Sequence, residues 1–221
     1  MLNSGRIRQG AGHEDVDGLE QRSTHRIALL IRSAKLSCER GEFLCIIRDV
    51  SETGLKLQLF HALPRCESFT LELANEDRFE IVPVWQRDGQ VGFKFDNSVD
   101  LRRILSEESS FPKRPVRLNL RERAVISTTG QTHAATICNL SREGVRIETE
   151  FPLAIAQRLQ IWSDHYPCRD AVVNWRKMPQ FGLVLPNVLS FEELALTAAR
   201  MQLPRELAAP LATSRAFSRS T

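Results

Sequence analysis

The chain has 221 residues, a formal net charge of +3 and 42% hydrophobic residues, which suits one or two globular domains with buried cores. No apolar run approaches the roughly 18 residues that cross a bilayer, so we expect no membrane span. The small net charge argues against a nucleic acid polymer as partner, and five cysteines without C-x-x-C spacing argue against a disulfide framework and a metal site.

The two ends of the chain lack the periodic apolar pattern of folded elements. Residues 1–20 contain glycines and charged side chains, which predicts a flexible N-terminal arm, and residues 205–221 predict a loose C-terminal tail. The N-terminal stretch also lacks the apolar segment of a secretory signal. We therefore expect a cytoplasmic protein.

Short segments with strand periodicity follow the arm. Hydrophobic and polar residues alternate in 54–59, 69–73 and 91–95, which is typical of strands with one buried face. Trp85 lies in another apolar segment, where we expect core packing or partial burial. Helical spacing begins only at Ser98, which we interpret as an N-cap.

Two polar motifs lie on either side of an apolar stretch that precedes these segments. Arg22-Ser-Thr-His-Arg26 comes before the apolar stretch, and Asp49-Val-Ser-Glu-Thr-Gly54 comes after it. Taken alone, the first is an ordinary solvated arginine pair and the second an Asx turn between strands. Their combination makes a binding site the better interpretation.

The same succession of motifs recurs further along the chain. Lys113-Arg-Pro-Val-Arg117 is followed by Asn139-Leu-Ser-Arg-Glu-Gly144, then by a strand containing Trp175 and by a helix with Ser190 and Glu193 as a capping box. For Trp175, as for Trp85, we expect core packing or partial burial rather than a stacking role. Arg26 lies 23 positions before Asp49, and Arg117 lies 22 positions before Asn139. The chain therefore uses one module twice, and we predict domains at residues 21–110 and 111–204.

The order of these motifs resembles the PilZ domain, the bacterial receptor for cyclic di-GMP. A basic pair, an Asp/Asn-x-Ser-x-x-Gly turn, a Trp strand and a Gly-Phe or Gly-Leu strand follow one another in both modules. The resemblance implies an all-β fold of two tandem six-stranded antiparallel β-barrels, each followed by a short C-terminal helix. It also implies a ligand, cyclic di-GMP, without a cofactor and without enzymatic activity.

By this resemblance, the ligand-binding residues of the first module are Arg22, Arg26, Asp49, Ser51 and Gly54. The planar arginine fork can donate two parallel bonds to a phosphate or to guanine O6 and N7. Asp49 can accept from guanine N1–H and N2–H, and Ser51 offers a small donor and acceptor. Gly54 permits a positive φ or a close backbone approach.

The second module carries a less complete motif, Lys113, Arg117, Asn139, Ser141 and Gly144. Lysine is a compact point charge without the bidentate geometry of arginine, and asparagine lacks one acceptor and the charge of aspartate. This module is therefore either a weaker second ligand site or a degenerate structural copy.

These features predict an effector protein. Cyclic di-GMP would bind across the segment that contains Arg22 and Arg26 and the turn that contains Asp49, and it would order residues 15–26. The protein would then signal to an unidentified protein partner in motility, exopolysaccharide or biofilm control. The alternative is a ligand-independent protein-interaction module with degenerate barrels.

Overall fold

The computed structural model describes residues 27–105 and 115–211, and it contains two closed antiparallel barrels of six strands each. Each barrel is followed by a helix, as predicted from the sequence. The first barrel and its helix comprise β1 (Ile27–Cys38), β2 (Gly41–Val50), β3 (Gly54–Gln58), β4 (Phe69–Glu72), β5 (Arg78–Arg87), β6 (Gln90–Phe95) and α1 (Leu101–Leu105). The second comprises β7 (Arg117–Thr128), β8 (Gln131–Ser141), β9 (Gly144–Glu148), β10 (Arg158–Trp162), β11 (Arg169–Lys177), β12 (Gln180–Val184) and α2 (Phe191–Gln202).

The two barrels have the same strand order. It runs β1-β2-β3-β6-β5-β4 in the first and β7-β8-β9-β12-β11-β10 in the second, and closure pairs β4 with β1 and β10 with β7. Alternation places the apolar side chains inside, as in β3, where Leu55 and Leu57 are buried on either side of Lys56. The barrels thus have the same topology, but residues 106–114 lie outside the described ranges, so the domain boundary near residue 110 stays a prediction.

A bulge in one strand of each barrel turns a tryptophan outward. Val173 is buried and pairs with Leu183, and the next pair joins Trp175 to Gly182. Between these two pairs β11 therefore contains one residue more than β12. The extra residue reverses the inside-outside alternation, and Trp175 lies on the outer face. Of the two expected alternatives, core packing is wrong for this reason, and Trp175 is partly buried, with 40% of its surface exposed.

The first barrel has the same irregularity. Ile81 is buried on β5, and the register shifts between Pro83 and Trp85, which pairs with Gly92. Trp85 is consequently 46% exposed rather than packed in the core.

The two helices begin differently. Ser190 caps α2, because its hydroxyl accepts from the Glu193 N–H while the Glu193 carboxylate accepts from the Ser190 N–H, which confirms the predicted capping box. The predicted N-cap at Ser98 is wrong. Helix α1 begins at Leu101, and the Asp100 carboxylate accepts from the Arg102 N–H at 2.9 Å.

The barrels meet along β2, β7 and α2. Phe43 of β2 packs with Ala199, Leu203 and Ala208 in one buried cluster, while its neighbour Leu44 belongs to the core cluster of the second barrel. Residues 204–211 include the start of the predicted loose tail, yet they pack here, and the Leu207 carbonyl accepts from the Ala62 N–H. The rest of that tail lies outside the described residues.

Neither α1 nor α2, the helices of the described ranges, is long and apolar enough to cross a membrane.

Candidate functional site

The Asp/Asn-x-Ser-x-x-Gly motif forms the same closed turn in both barrels. In the first, the Ser51 hydroxyl donates to the Gly54 carbonyl at 3.1 Å and accepts from the Gly54 N–H at 3.2 Å. Ser141 and Gly144 repeat this geometry with the same distances. Because the hydroxyl is already engaged and the side chain is buried, each serine fixes the shape of the turn rather than presenting a free donor.

The motif glycines are required by close strand pairing. A Cβ atom on Gly54 would lie 2.6 Å from the Phe93 carbonyl oxygen, and one on Gly144 would lie 2.5 Å from that of Leu183. Neither glycine has a positive φ. Of the two roles considered for Gly54 from sequence, the close backbone approach is therefore the one that the structure shows.

The motif carboxylate lies in a row of side chains that crosses the outer face of the first barrel. Asp49 pairs with Lys56 across β2 and β3, Lys56 with Gly92 across β3 and β6, and Gly92 with Trp85 across β6 and β5. Neighbouring strands lie about 4.8 Å apart, so the row from Asp49 to Trp85 spans three strand spacings, about 14 Å along the curved surface of the barrel.

The second barrel has an equivalent row. Asn139 pairs with Arg146, Arg146 with Gly182, and Gly182 with Trp175. Each row thus carries an amide or carboxylate, a cation, a bare glycine and an indole, in that order.

Each tryptophan covers the glycine beside it. A Cβ atom on Gly92 would overlap Nε1 of Trp85, and one on Gly182 would overlap Nε1 of Trp175. Trp175 nevertheless remains 40% exposed. The indoles therefore lie flat enough to fill the space of the missing side chain and still present surface to a planar ligand.

Two polar atoms in these rows are buried and unsatisfied. Within residues 27–105 and 115–211, Asp49 Oδ1 and Arg146 Nε have no hydrogen-bond partner. An unpaired buried acceptor or donor costs free energy, and such groups in a folded protein call for an explanation such as a missing ligand.

The row of the second barrel lines a cleft of about 350 Å³. Four predicted residues contribute to its wall, namely Arg117, Asn139, Ser141 and Gly144. Arg146 and Trp175 line it as well. The fold therefore brings these predicted residues together around one concave surface of a size common for small-molecule sites.

Three predicted site residues cannot be placed. Arg22, Arg26 and Lys113 lie outside the described residues, as do the predicted arm at residues 1–20 and the predicted mobile segment at 15–26. In the first module, the structure therefore locates Asp49, Ser51 and Gly54 of the predicted set.

The sequence interpretation missed two residues of the rows, the cations Lys56 and Arg146. For Trp85 and Trp175 it weighs a stacking role and favours core packing or partial burial. A signal for the cations is present, because a basic residue stands two positions after the motif glycine in both modules.

A separate cluster lies at the other end of the β1–β2 hairpin. Cys38 Sγ and Cys66 Sγ are 2.7 Å apart, and a Glu39 carboxylate oxygen lies within 4.8 Å of both. Burial, together with hydrogen bonds to Cys38 and Glu39, raises the pKa of the Cys66 thiol to about 12. These three side chains are the group within the described ranges that could hold a metal ion. The expected absence of a metal site stays a prediction.

Several solved structures resemble the chain. Borreliella burgdorferi PlzA in complex with c-di-GMP is 11% identical, with 80% of this chain and 94% of PlzA covered, at a TM-score of 0.34. The Bacillus subtilis inhibitor of motility MotI/DgrA is 11% identical, with 79% of this chain and 97% of MotI/DgrA covered, at a TM-score of 0.34. YcgR from Escherichia coli, in complex with c-di-GMP, is 12% identical, with 74% of this chain and 79% of YcgR covered, at a TM-score of 0.30.

The sequence itself matches a known domain family. No curated protein matches the chain. Residues 20–108, which contain the first barrel and the first complete motif, match the PilZ domain family. The segment of residues 20–108 is therefore a PilZ domain.

Proposed function

We propose that this protein is a cyclic di-GMP effector whose first barrel binds the nucleotide through Arg22, Arg26, Asp49, Ser51 and Gly54. One observation carries the proposal. Asp49 Oδ1 is a buried acceptor without a hydrogen-bond partner among the described residues, and it lies in a row with a cation and an exposed indole. Cyclic di-GMP has two guanines, so N1–H and N2–H of one can donate to Asp49 while a planar base can stack on the indole.

The chemistry of each side chain suits one part of the ligand. Asp49 accepts from guanine N1–H and N2–H, and Trp85 offers its exposed face to a base. Arg22 and Arg26 provide planar donors for phosphate or for guanine O6 and N7. In this proposal Ser51 and Gly54 are positioning residues, since the serine closes the turn and the glycine admits the neighbouring strand.

The second barrel is a second, weaker site in the same proposal. Arg117, Asn139, Ser141 and Gly144 surround its cleft, and Lys113 stands where the first module has an arginine. A lysine there makes fewer directed bonds than an arginine, which lowers the affinity.

Binding acts on a partner through the segment before the first strand. Arg22 and Arg26 carry like charges, and an anion between them removes their repulsion, so we propose that the nucleotide orders residues 15–26 and creates a surface for a protein partner. Motility, exopolysaccharide synthesis and biofilm formation are the outputs that the family resemblance suggests. The proposal involves no catalytic step and no cofactor.

Calorimetric titration with cyclic di-GMP tests the site. Arg22→Ala or Arg26→Ala should weaken binding about ten- to hundredfold, because a hydrogen bond from a charged group contributes about 1.5 to 3 kcal/mol. Arg78→Ala is the matched control, since this exposed arginine at the start of β5 pairs only with Glu72 among the described residues. Absence of binding by the unaltered protein would favour the alternative, a ligand-independent interaction module.

Amide hydrogen exchange with and without the nucleotide tests the switch. Residues 15–26 should gain protection at saturating cyclic di-GMP. Equal protection in both states would refute the switch even where calorimetry shows binding. A gel shift with duplex DNA, with and without the nucleotide, distinguishes a protein partner from a nucleic acid partner.

A further inference from the structure

A chain of hydrogen bonds connects the cleft of the second barrel to the first barrel. Asn139 Nδ2 donates to Asn119 Oδ1 at 2.9 Å. Asn119 Nδ2 in turn donates to both carboxylate oxygens of Glu42 at 3.2 Å, and the Asn119 backbone N–H donates to Glu42 Oε2 at 2.7 Å. Glu42 belongs to β2 of the first barrel, so the chain of bonds crosses the boundary between the barrels.

The Glu42 carboxylate determines the orientation of the Asn119 and Asn139 side-chain amides. A carboxylate only accepts hydrogen bonds, so Asn119 must turn its Nδ2 toward Glu42 and its Oδ1 toward Asn139. Asn139 must then offer Nδ2 to Asn119. Its Oδ1 is left as the polar atom for a ligand in the cleft, and no hydrogen bond from the described residues occupies it.

We propose that Glu42 and Asn119 are positioning residues for the second barrel, which fix the Asn139 amide as an acceptor and so select guanine. The inference rests on the proposed function, because it assumes that the cleft receives a cyclic dinucleotide. Guanine presents donors at N1 and N2, which match an outward Oδ1. Adenine presents an acceptor at N1, which would match an outward Nδ2.

The first barrel shows why such a device is needed only once. Asp49 stands where the second barrel has Asn139, and its two oxygens are equivalent acceptors in either orientation. On the preceding strand, Ala28 pairs with Asp49 in the first barrel, whereas Asn119 pairs with Asn139 in the second. An amide has two different ends and needs a neighbour to orient it, and the partner on the preceding strand is polar in the second barrel and apolar in the first.

Glu42 is itself held by a contact within the first barrel and by contacts with α2. Its carboxylate pairs with Lys35 at 3.3 Å, and its backbone exchanges hydrogen bonds of 2.8 and 2.9 Å with the Gln202 side chain of α2. The orientation of Asn139 therefore depends on how the barrels and α2 are packed. Nucleotide selectivity in the second cleft becomes a property of the docked pair of barrels.

The test uses the full chain with the first site silenced by Asp49→Ala combined with Arg22→Ala and Arg26→Ala, titrated with cyclic di-GMP and with cyclic di-AMP. In this background Asn119→Ala should weaken cyclic di-GMP binding about tenfold and reduce the preference over cyclic di-AMP. Adding Asn139→Asp should restore both, because alanine and aspartate at these two positions reproduce the pair formed by Ala28 and Asp49 in the first barrel. Asn97→Ala is the matched control, because the side chain of this exposed asparagine bonds only to Asp96 within residues 27–105 and 115–211.

Each outcome decides a different point. Unchanged affinity and preference in Asn119→Ala, or failure of the double variant to recover, would overturn the positioning role. Binding by the unaltered protein but none in the background with the silenced first site would overturn it too and would leave the proposed function with the first barrel. No binding by the unaltered protein would reject the proposed function itself. Asn119 is exposed, and its backbone bond to Glu42 survives the change to alanine, so the variant should fold.

Discussion

Replacing Asp49 by alanine should abolish or weaken binding without destabilising the fold. Most buried carboxylates contribute to folding through their partners, so their removal costs stability. Asp49 differs, because its Oδ1 is buried without a hydrogen-bond partner among the described residues. Under the proposed function, Asp49 serves the ligand and not folding.

The magnitudes follow from the geometry. A buried unsatisfied acceptor costs about 1 to 3 kcal/mol, part of which alanine would return. We expect the free energy of unfolding to stay constant or rise by up to about 1 kcal/mol, which corresponds to an increase in Tm of about 2 to 4 °C for a chain of this size. Loss of hydrogen bonds between guanine and a charged acceptor should weaken cyclic di-GMP binding about ten- to hundredfold.

Thermal unfolding and calorimetric titration of the same samples measure both effects. Glu42→Ala is the contrasting carboxylate, since it loses Asn119 and leaves the largely buried Lys35 with Glu72 alone. It should lower the free energy of unfolding by about 1 to 3 kcal/mol. A comparable loss of stability in Asp49→Ala, or an unchanged affinity, would refute the reasoning.

Three further predictions concern other parts of the molecule. Gly182→Ala should displace the Trp175 indole, because the new Cβ atom would occupy the position of the indole. Tryptophan fluorescence emission should then move to longer wavelength, and binding in the second cleft should weaken. An unchanged emission spectrum would contradict the displacement. A disulfide reagent that modifies thiols at pH 8 should react quickly with exposed Cys168 and slowly with Cys66, since the pKa of Cys66 is raised to about 12. A fast phase of reaction that persists in Cys168→Ser would contradict this assignment of the fast phase to Cys168. Burial lowers the pKa of His61 below its ordinary value, so as the pH falls the unfolded chain is protonated at this residue before the folded protein is. The free energy of unfolding should therefore fall as the pH drops below about 6.5. An equal fall in His61→Leu would assign the effect to another group.

Local patterns in the sequence are sufficient for the elements and their duplication. Alternating apolar residues indicate strands because one face of each strand is buried, and the Ser190 capping box is predicted correctly because a cap depends on residues only three positions apart. The predicted cap of α1 at Ser98 is misplaced. Shortly after it, Asp100 offers a carboxylate to the same N-terminus, and sequence proximity does not decide between them.

The tryptophans show where local patterns stop being informative. Strict alternation places Trp85 and Trp175 inside, and only a bulge, visible in the pairing with the next strand, turns them outward. The cations Lys56 and Arg146 are a similar case. Each looks like an ordinary solvated residue until strand pairing places it between the motif residue and the indole.

Residue identity and short spacings along the chain are enough to establish the repeat, the strand periodicity and the motif residues. Which of those residues share a surface depends on the folded molecule. The rows across each barrel join strands far apart in sequence, and the bonds from Asn139 through Asn119 to Glu42 join two barrels. Such contacts depend on strand register and on domain packing, which are set by the burial of the whole core rather than by any local pattern.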